Sequence, residues 1–481
     1  MFSVAVAGVA VAAVAAVLAL VHTLNGQQLP YYLGGWPPPL GIEYLVDRVA
    51  AFASTTLLGV ALVVLIATRR MALVEFGDRL GFFYGLILLM LAGIAGMIVT
   101  HDLFNLFVFA EVSSLAAYAL VFRGGPRGMI AAFRYLILGS IGGGFFLIGV
   151  GFLYFATGSL NITDLSSRLV GLEGSRAVLA GAVFIFAGLG LKMALFPLHL
   201  WLPDAYTYAP SSVNTLIAPL MTKAAAVAML RMFLSVFPEG YLTEVVPISS
   251  VLVFLGLTGM IIGSLAAVSQ SDYRRMLAHS SVGQLGLIGV GIGLATPLGF
   301  AAALLHIMNH AIMKGCLFLV ATSVRFRTGR TDVDGMTGLG RSMPATMAAF
   351  SAAALAMVGV PPLAGFFSKL YLAQAGFGGG SWAVVVVVLG SSLLTASYLF
   401  RVVERAYLAD SRGSLVAERS VIQPGESTLS NPAPNGTPRE APLDMVLPTL
   451  LLAIASVSVG LANAAILTHV LEPGIAPWIP S

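Results

Sequence analysis

The stretch GLKMALFPLHLWLPDA, residues 190–205, closes an apolar run that begins near Val178, places Lys192 inside it, and then interrupts it with Pro197, His199 and Pro203. A lysine near the centre of a membrane helix costs roughly 2.5–3.5 kcal/mol on the insertion scale. Proline removes a backbone donor and clashes with the preceding turn, and a broken backbone at membrane depth is tolerated where it is buried in protein or lines a wet cavity. The segment therefore predicts a broken membrane helix, inside a protein large enough to bury the break and to offer the ammonium polar neighbours.

The rest of the chain fits that setting. Its 481 residues are 58% hydrophobic and only 10% charged, with a mean hydropathy of +0.94, far from soluble domains. The formal net charge of +4 says little about partners, and no nucleic-acid partner is expected; the single cysteine argues against a disulfide framework and a thiolate set for an iron–sulfur cluster. The first apolar run lacks a basic leader and reads as a spanning helix rather than a cleavable signal. Of the 25 basic residues only four are lysine, Lys192, Lys223, Lys314 and Lys369. All four lie in predicted membrane segments, while the loops use arginine. Arginine stays protonated under working conditions, whereas a desolvated lysine can titrate, so this partition points to amines kept for their protons.

Runs long enough to cross a ~30 Å core fall near 2–21, 46–68, 80–99, 103–122, 130–156, 177–201, 211–236, 245–268, 275–294, 299–322, 344–375, 381–408 and 444–469. The expected fold is all-α: a polytopic membrane protein of about 13–14 transmembrane helices. Loops after even-numbered spans carry Arg69, Arg70, Arg79, Arg123, Arg127, Arg274, Arg275 and several more, and those after odd-numbered spans only Arg168 and Arg176. By the positive-inside rule the arginine-rich side is cytoplasmic. The long polar connection, 409–443, reads as a flexible cytoplasmic loop from its Pro, Ser, Gly and Asn content. A second break follows from Pro361 and Pro362 in GVPPLAGFFSKL, with Lys369 beside it. The two breaks lie five spans apart and hence in opposite orientations, the pattern of inverted repeats. The expected organisation is N-terminal helices in 1–79, five-helix repeats in 80–236 and 245–408, the loop, and a last helix and tail in 444–481.

Glu111 lies midway along the fourth span, where a carboxylate must be protonated or paired. Lys192 is its natural partner and Lys223 a second cation; such groups titrate as a set. In LLHIMNHAIMKGCLFLV, His306, His310 and Lys314 recur every four residues and share a helix face, a spacing suited to proton transfer with histidine as shuttle. The same spacing also suits a metal, yet no acidic residue accompanies it and no metal or other cofactor is expected. His199, in the sixth-span break, is a candidate point of proton uptake. His279, Ser280 and Ser281 read as helix-end hydrogen-bonding groups, and Asp47 and Arg48 as interfacial structure.

Five stretches, HDLFNLFVFAEVSSLAAYALV, LGLKMALFPLHLWLPDAYTYAPSSVNTLIAPLMTKAAAVAMLR, YRRMLAHSSVGQLGLIGVGIG, LLHIMNHAIMKGCLFL and GVPPLAGFFSKLYL, together resemble the antiporter-like subunits of respiratory complex I, membrane-bound hydrogenases and multisubunit Mrp cation/proton antiporters. The resemblance runs from about Gly34 to Tyr407 and is nearest in flavour to the D subunit of the Mrp antiporters. It implies that Glu111, Lys192, Lys223, His306, His310 and Lys369 carry protons through two half-channels joined by a polar axis. Lys369 disfavours the one complex I subunit that has glutamate there. Family members usually have fourteen helices with both termini outside, so one helix is missing at the start, from a short form or a late start codon.

The sequence thus leads to a proton-translocating subunit of a multisubunit complex in a prokaryotic inner membrane, without redox or hydrolytic chemistry of its own, working with other membrane subunits, protons and Na+. A Mrp-type Na+/proton antiporter is the leading expectation, and a subunit of complex I or a membrane-bound hydrogenase the alternative. A haem protein using His199, His279, His306 or His310 as axial ligands and a self-sufficient exchanger are the other classes open at this level.

Overall fold

The computed structural model describes residues 1–409 and 439–478; most of the expected cytoplasmic loop lies outside the described residues. The chain is built almost entirely of helices: α1 Phe2–Thr23, α2 Arg48–Ala67, α3 Leu80–Val99, α4 Leu103–Val121, α5 Gly125–Thr157, α6 Arg176–Met193, α7 Leu202–Tyr208, α8 Ser211–Arg231, α9 Ile248–Val268, α10 Tyr273–Gly293, α11 Pro297–Thr328, α12 Pro344–Val358, α13 Ala364–Gly378, α14 Trp382–Tyr407 and α15 Leu443–Leu461. Among the described residues twelve helices are long and apolar enough to cross a membrane, and α12 is a shorter apolar one. Together α12 and α13 occupy the eleventh expected span. The fold class read from the sequence is therefore the one observed.

Both spans expected to be broken are interrupted, whereas Pro219 and Pro448 lie within continuous helices. The sixth was expected to run to 201, but α6 stops at Met193 because Ala194 takes a left-handed conformation, φ 58°, which costs a non-glycine residue about 1–2 kcal/mol. The turn that follows leads into α7, with Pro203 in its first turn, a position where the missing N–H is not needed. In the eleventh span Gly359, φ 92°, ends α12, and α13 begins after the two prolines.

Burial sorts the helices. In α10 94% and in α11 100% of the apolar window is inside the protein, against 22% in α1 and 33% in α14. α8, α10 and α11, which carry Lys223, His279, His306, His310 and Lys314, are thus almost wholly shielded from lipid, where a polar group can find protein partners. Outer pairs pack through glycine: a Cβ at Gly188 of α6 would lie 2.5 Å from the Gly142 carbonyl oxygen of α5, so these backbones touch in the manner of small-residue membrane contacts. The carboxylate of Glu75 accepts from the Ser211 and Ser212 amides at 2.6 and 2.9 Å, and Glu440 accepts from Ala345 N at 2.8 Å. Two remote carboxylates therefore satisfy the orphan donors at the starts of α8 and α12.

Two features depart from a purely helical reading. An antiparallel ribbon pairs β1, Leu29–Tyr32, with β2, Glu43–Val46. Close by, a buried polar cluster joins three chain regions: the Arg231 guanidinium at the end of α8 donates to Asp47 Oδ1 and Oδ2 at 3.1 and 3.3 Å and faces His101 Nδ1 at 3.4 Å. His101 lies in the turn between α3 and α4, outside the spanning helices, and burial followed by the Arg231 charge pushes its pKa down to about 3. It is neutral at physiological pH and accepts through Nδ1 while Nε2 meets Thr163 Oγ1 at 2.8 Å. Asp47 also caps α2 through the Ala50 amide, so its expected interfacial role is sharper than the sequence suggested. Removing one partner of such a pair strands a buried charge, and Asp47→Ala is expected to destabilise the protein by roughly 3–5 kcal/mol. A fall in unfolding temperature in detergent checks this, with Asp47→Glu as the variant that retains the charge.

Candidate functional site

The α6 break produces the first half of the site. Lys192 sits in the last turn of α6, and its Nζ donates to Glu111 Oε1 on α4 at 2.7 Å and to Ser114 Oγ at 3.1 Å. The side chains of Lys192 and Glu111 are 8% and 22% exposed. Gly143 of α5 makes room for the carboxylate: a Cβ there would stand 2.1 Å from Oε1. Trp201, from the start of α7, donates through Nε1 to the Leu191 carbonyl at 3.0 Å, satisfying an acceptor that the broken ladder leaves free. A small cavity beside the pair is lined by Ser113, Ser114, Tyr118, Tyr135, Lys192, Trp201 and Met221. Its volume of about 20 Å³ is on the scale of one water molecule.

Met221 carries this cavity to α8, where Lys223 is fully buried. The Lys223 ammonium donates to the Ala218 carbonyl at 2.7 Å and contacts Thr222 Oγ1 at 3.3 Å; among the described residues no carboxylate pairs with it. It does not touch Lys192, so the expected Glu111–Lys192 contact is present while the expected handover to Lys223 has a gap bordered by Met221 and Ala225.

On α11 the predicted stripe is wholly inside the protein: His306, Asn309, His310 and Lys314 are all 0% exposed. His306 Nε2 lies 3.0 Å from Gln284 Oε1 and Nδ1 lies 2.9 Å from Ser368 Oγ, an arrangement satisfied by a neutral ring protonated on Nε2. The His310 ring stacks on His306 at 5.9 Å, and both its nitrogens lack a hydrogen-bond partner among the described residues. Lys314 Nζ donates to the Leu277 carbonyl at 2.6 Å and to Ser280 Oγ at 2.5 Å. Ser280, expected to be only a helix-end group, thus anchors a buried amine.

The α12–α13 break holds Lys369, whose Nζ donates to the Met357 and Val358 carbonyls at 2.8 and 3.0 Å and to Ser392 Oγ at 3.0 Å. These are terminal carbonyls of α12, the negative end of a half-helix. A Cβ at Gly359 would stand 3.2 Å from Lys369 Cδ, so the glycine serves both the left-handed turn and the passage of the lysine stem. His199 lies in the α6–α7 turn, stacked on Phe196 at 5.4 Å, with Nδ1 unpartnered among the described residues. Asp204 in α7 is held by Arg134 at 2.8 Å and Arg275 at 3.5 Å.

Sequence reasoning missed Ser114, Gln284, Ser368 and Ser392, the neutral groups that hold the ionisable ones in place. Their only signal was the presence of hydroxyls and one amide on helices that also carry charge. Among the described residues no cluster of three or more His, Cys, Asp or Glu side chains could hold a metal.

A family profile described as NADH:quinone oxidoreductase/Mrp antiporter, transmembrane, matches residues 100–395. The chain is 45% identical to NADH-quinone oxidoreductase subunit N of Desulforudis audaxviator, over 96% of this chain and 90% of that protein. It is 33% identical to the D subunit of the Na(+)/H(+) antiporter of Alkalihalophilus pseudofirmus, over 79% of this chain and 76% of the relative. Its fold superposes with a TM-score of 0.87 and 29% identity on a chain of the membrane-bound sulfane sulfur reductase, an archaeal respiratory membrane complex, covering 99% of this chain and 93% of that one.

Proposed function

The chain belongs to the NADH:quinone oxidoreductase/Mrp antiporter family of membrane subunits, and from that premise we propose that it moves protons as one subunit of a larger membrane complex. The observation that carries the reading is the 2.7 Å contact between Lys192 and Glu111 at a helix break, with three more buried amines, Lys223, Lys314 and Lys369, and two imidazoles leading away from it inside the protein. A lysine at a break can stay on its carboxylate or swing to another acceptor, and the choice changes the field felt by Lys223. Protons then pass by way of His310 and His306, with Lys314 beside them, toward Lys369. His306 is poised for the relay because one ring nitrogen faces a hydroxyl on α13 and the other an amide on α10. His199 is the point of uptake, from the side where Arg134 and Arg275 gather. The five-helix repeats, each containing one break, are the units that would move against each other.

The parent complex is redox-linked in this proposal. The relative named as an NADH-quinone oxidoreductase subunit is more similar and matches more of the chain than the relative named as an antiporter subunit. The chain itself has one cysteine and it is buried, so electrons would be handled by companion subunits and the driving force would arrive by electrostatic and mechanical contact. The second reading, a Na+/proton antiporter subunit, is supported by the 33% identity to the Alkalihalophilus protein and by an arrangement of amines that suits either drive. Affinity purification of the tagged chain from native membranes separates them. The expected result is co-purification of subunits with iron–sulfur absorbance and sodium-independent proton flux; small membrane subunits alone, with flux that requires Na+, would establish the antiporter.

A further inference from the structure

On the arginine-rich side of the protein, where α3 begins, α4 ends and α5 begins, the three helices enclose an open cleft of about 590 Å³. This is the scale of small-molecule sites. Arg79 and Arg123 stand at its mouth; Phe82, Phe122, Phe133 and Leu136 form apolar walls, and Tyr118 lies at the inner side. On α5 the lining runs from Met129 to Leu136, so the walls extend roughly 10 Å along the helix axis. Among the described residues no carboxylate lines the cleft, and Asp78, the neighbour of Arg79, is exposed outside it. The Nε atom of Arg123 is buried without a hydrogen-bond partner among the described residues.

We propose that this cleft binds an anionic glycerophospholipid, its phosphate on Arg79 and Arg123 and one acyl chain along Phe82, Phe133 and Leu136. The charge pattern selects this occupant. Guanidinium is the side chain suited to a phosphodiester, it stands at the end of the cleft where the helices leave the membrane, and the walls are aromatic and aliphatic. A free phosphate would have no use for the walls, and a neutral amphiphile none for the second arginine.

The site is also connected inward. The Tyr118 ring packs edge-on against Tyr135 at 4.5 Å, Tyr135 stacks on Trp201 at 4.0 Å, and Trp201 holds the Leu191 carbonyl beside Lys192. Lipid against Tyr118 fixes this aromatic row and with it the position of Lys192. That last step rests on the proposed role of the Glu111–Lys192 pair, whereas lipid binding does not.

The test uses the full chain in its native complex, reconstituted into phosphatidylcholine vesicles with about one fifth phosphatidylglycerol. Lipids retained after detergent extraction are quantified by mass spectrometry. At about 1 kcal/mol for each arginine near the surface, the two together favour phosphatidylglycerol by about thirtyfold, expressed as the ratio of phosphatidylglycerol to phosphatidylcholine retained relative to that ratio in the vesicles. In Arg79→Gln/Arg123→Gln the enrichment should fall to about twofold or less, and Ala119→Trp, which fills the cleft, should remove it, with unfolding temperatures unchanged in both. No enrichment in the wild type, or an unaltered one in the double arginine variant, overturns the proposal. Phe133→Cys supplies an independent check because Cys316 is buried: labelling by a lipid-phase maleimide supports the lipid, and crosslinking to another subunit overturns it. If phosphatidylglycerol binds but its omission leaves proton flux unchanged, the coupling to Lys192 fails and the binding site stands.

Discussion

Lys223→Ala is expected to abolish proton flux, by roughly 10²–10⁴-fold, in a complex that assembles normally. The reason is the company Lys223 keeps. It is fully buried on α8, hydrogen-bonded to one carbonyl and one hydroxyl, and among the described residues it has no acidic partner. An ammonium buried in this way costs several kcal/mol, a penalty that a packing residue would not carry. The same observation yields a second readout with the opposite sign: Lys223→Met should keep or raise the unfolding temperature while flux is lost. A structural lysine would behave in the reverse manner, with stability falling and flux surviving in whatever protein remained folded. Lys223→Arg separates a fixed charge from a titrating one, because guanidinium does not give up its proton; its flux should be as low as that of the alanine variant. Proton uptake by pH-sensitive dye in vesicles, together with native gels for assembly, provides the measurements. Wild-type flux in the arginine variant would show that only the positive charge matters.

Much of this arrangement was legible in the sequence because membrane physics penalises ambiguity. A lysine in an apolar run must have a partner, and the pairing of Lys192 with Glu111 followed from there being one carboxylate at matching depth. The four-residue spacing of His306, His310 and Lys314 set their common face without tertiary information. Other features rest on contacts between distant segments that no local pattern encodes. Asp47 reads only as interfacial structure, and only folding brings Arg231 and His101 to it. The ribbon of Leu29–Tyr32 and Glu43–Val46 was hidden in a stretch whose glycines and prolines read as a connection. Ser280 had a local explanation, its hydroxyl on the Leu277 carbonyl, which masked its contact with Lys314. The drive of the complex was illegible for a different reason: the residues that handle protons suit either parent, and the difference lies in chains that this one contacts.

Glu111→Ala is expected to halt transport as completely as Lys223→Ala, and its effect on stability tests why. Removing the carboxylate strands the Lys192 ammonium, which is 8% exposed; breaking a buried pair costs roughly 3–5 kcal/mol. Because 22% of the Glu111 side chain remains accessible, solvent screening places the loss at the lower end of that range. Adding Lys192→Met should restore much of the stability, since it removes the stranded charge that made the single variant costly, but should restore no flux. Gly143→Ala probes the same contact without touching either charge. Its methyl group would stand 2.1 Å from Glu111 Oε1, so the carboxylate must move away from Lys192, and flux should fall about tenfold or more because proton transfer depends on hydrogen-bond reach. Unfolding temperatures and vesicle flux across the three variants distinguish a lock from a switch. If the Glu111→Ala/Lys192→Met protein pumps normally once its stability returns, the pair only fastens α4 to α6, and the proton route begins elsewhere.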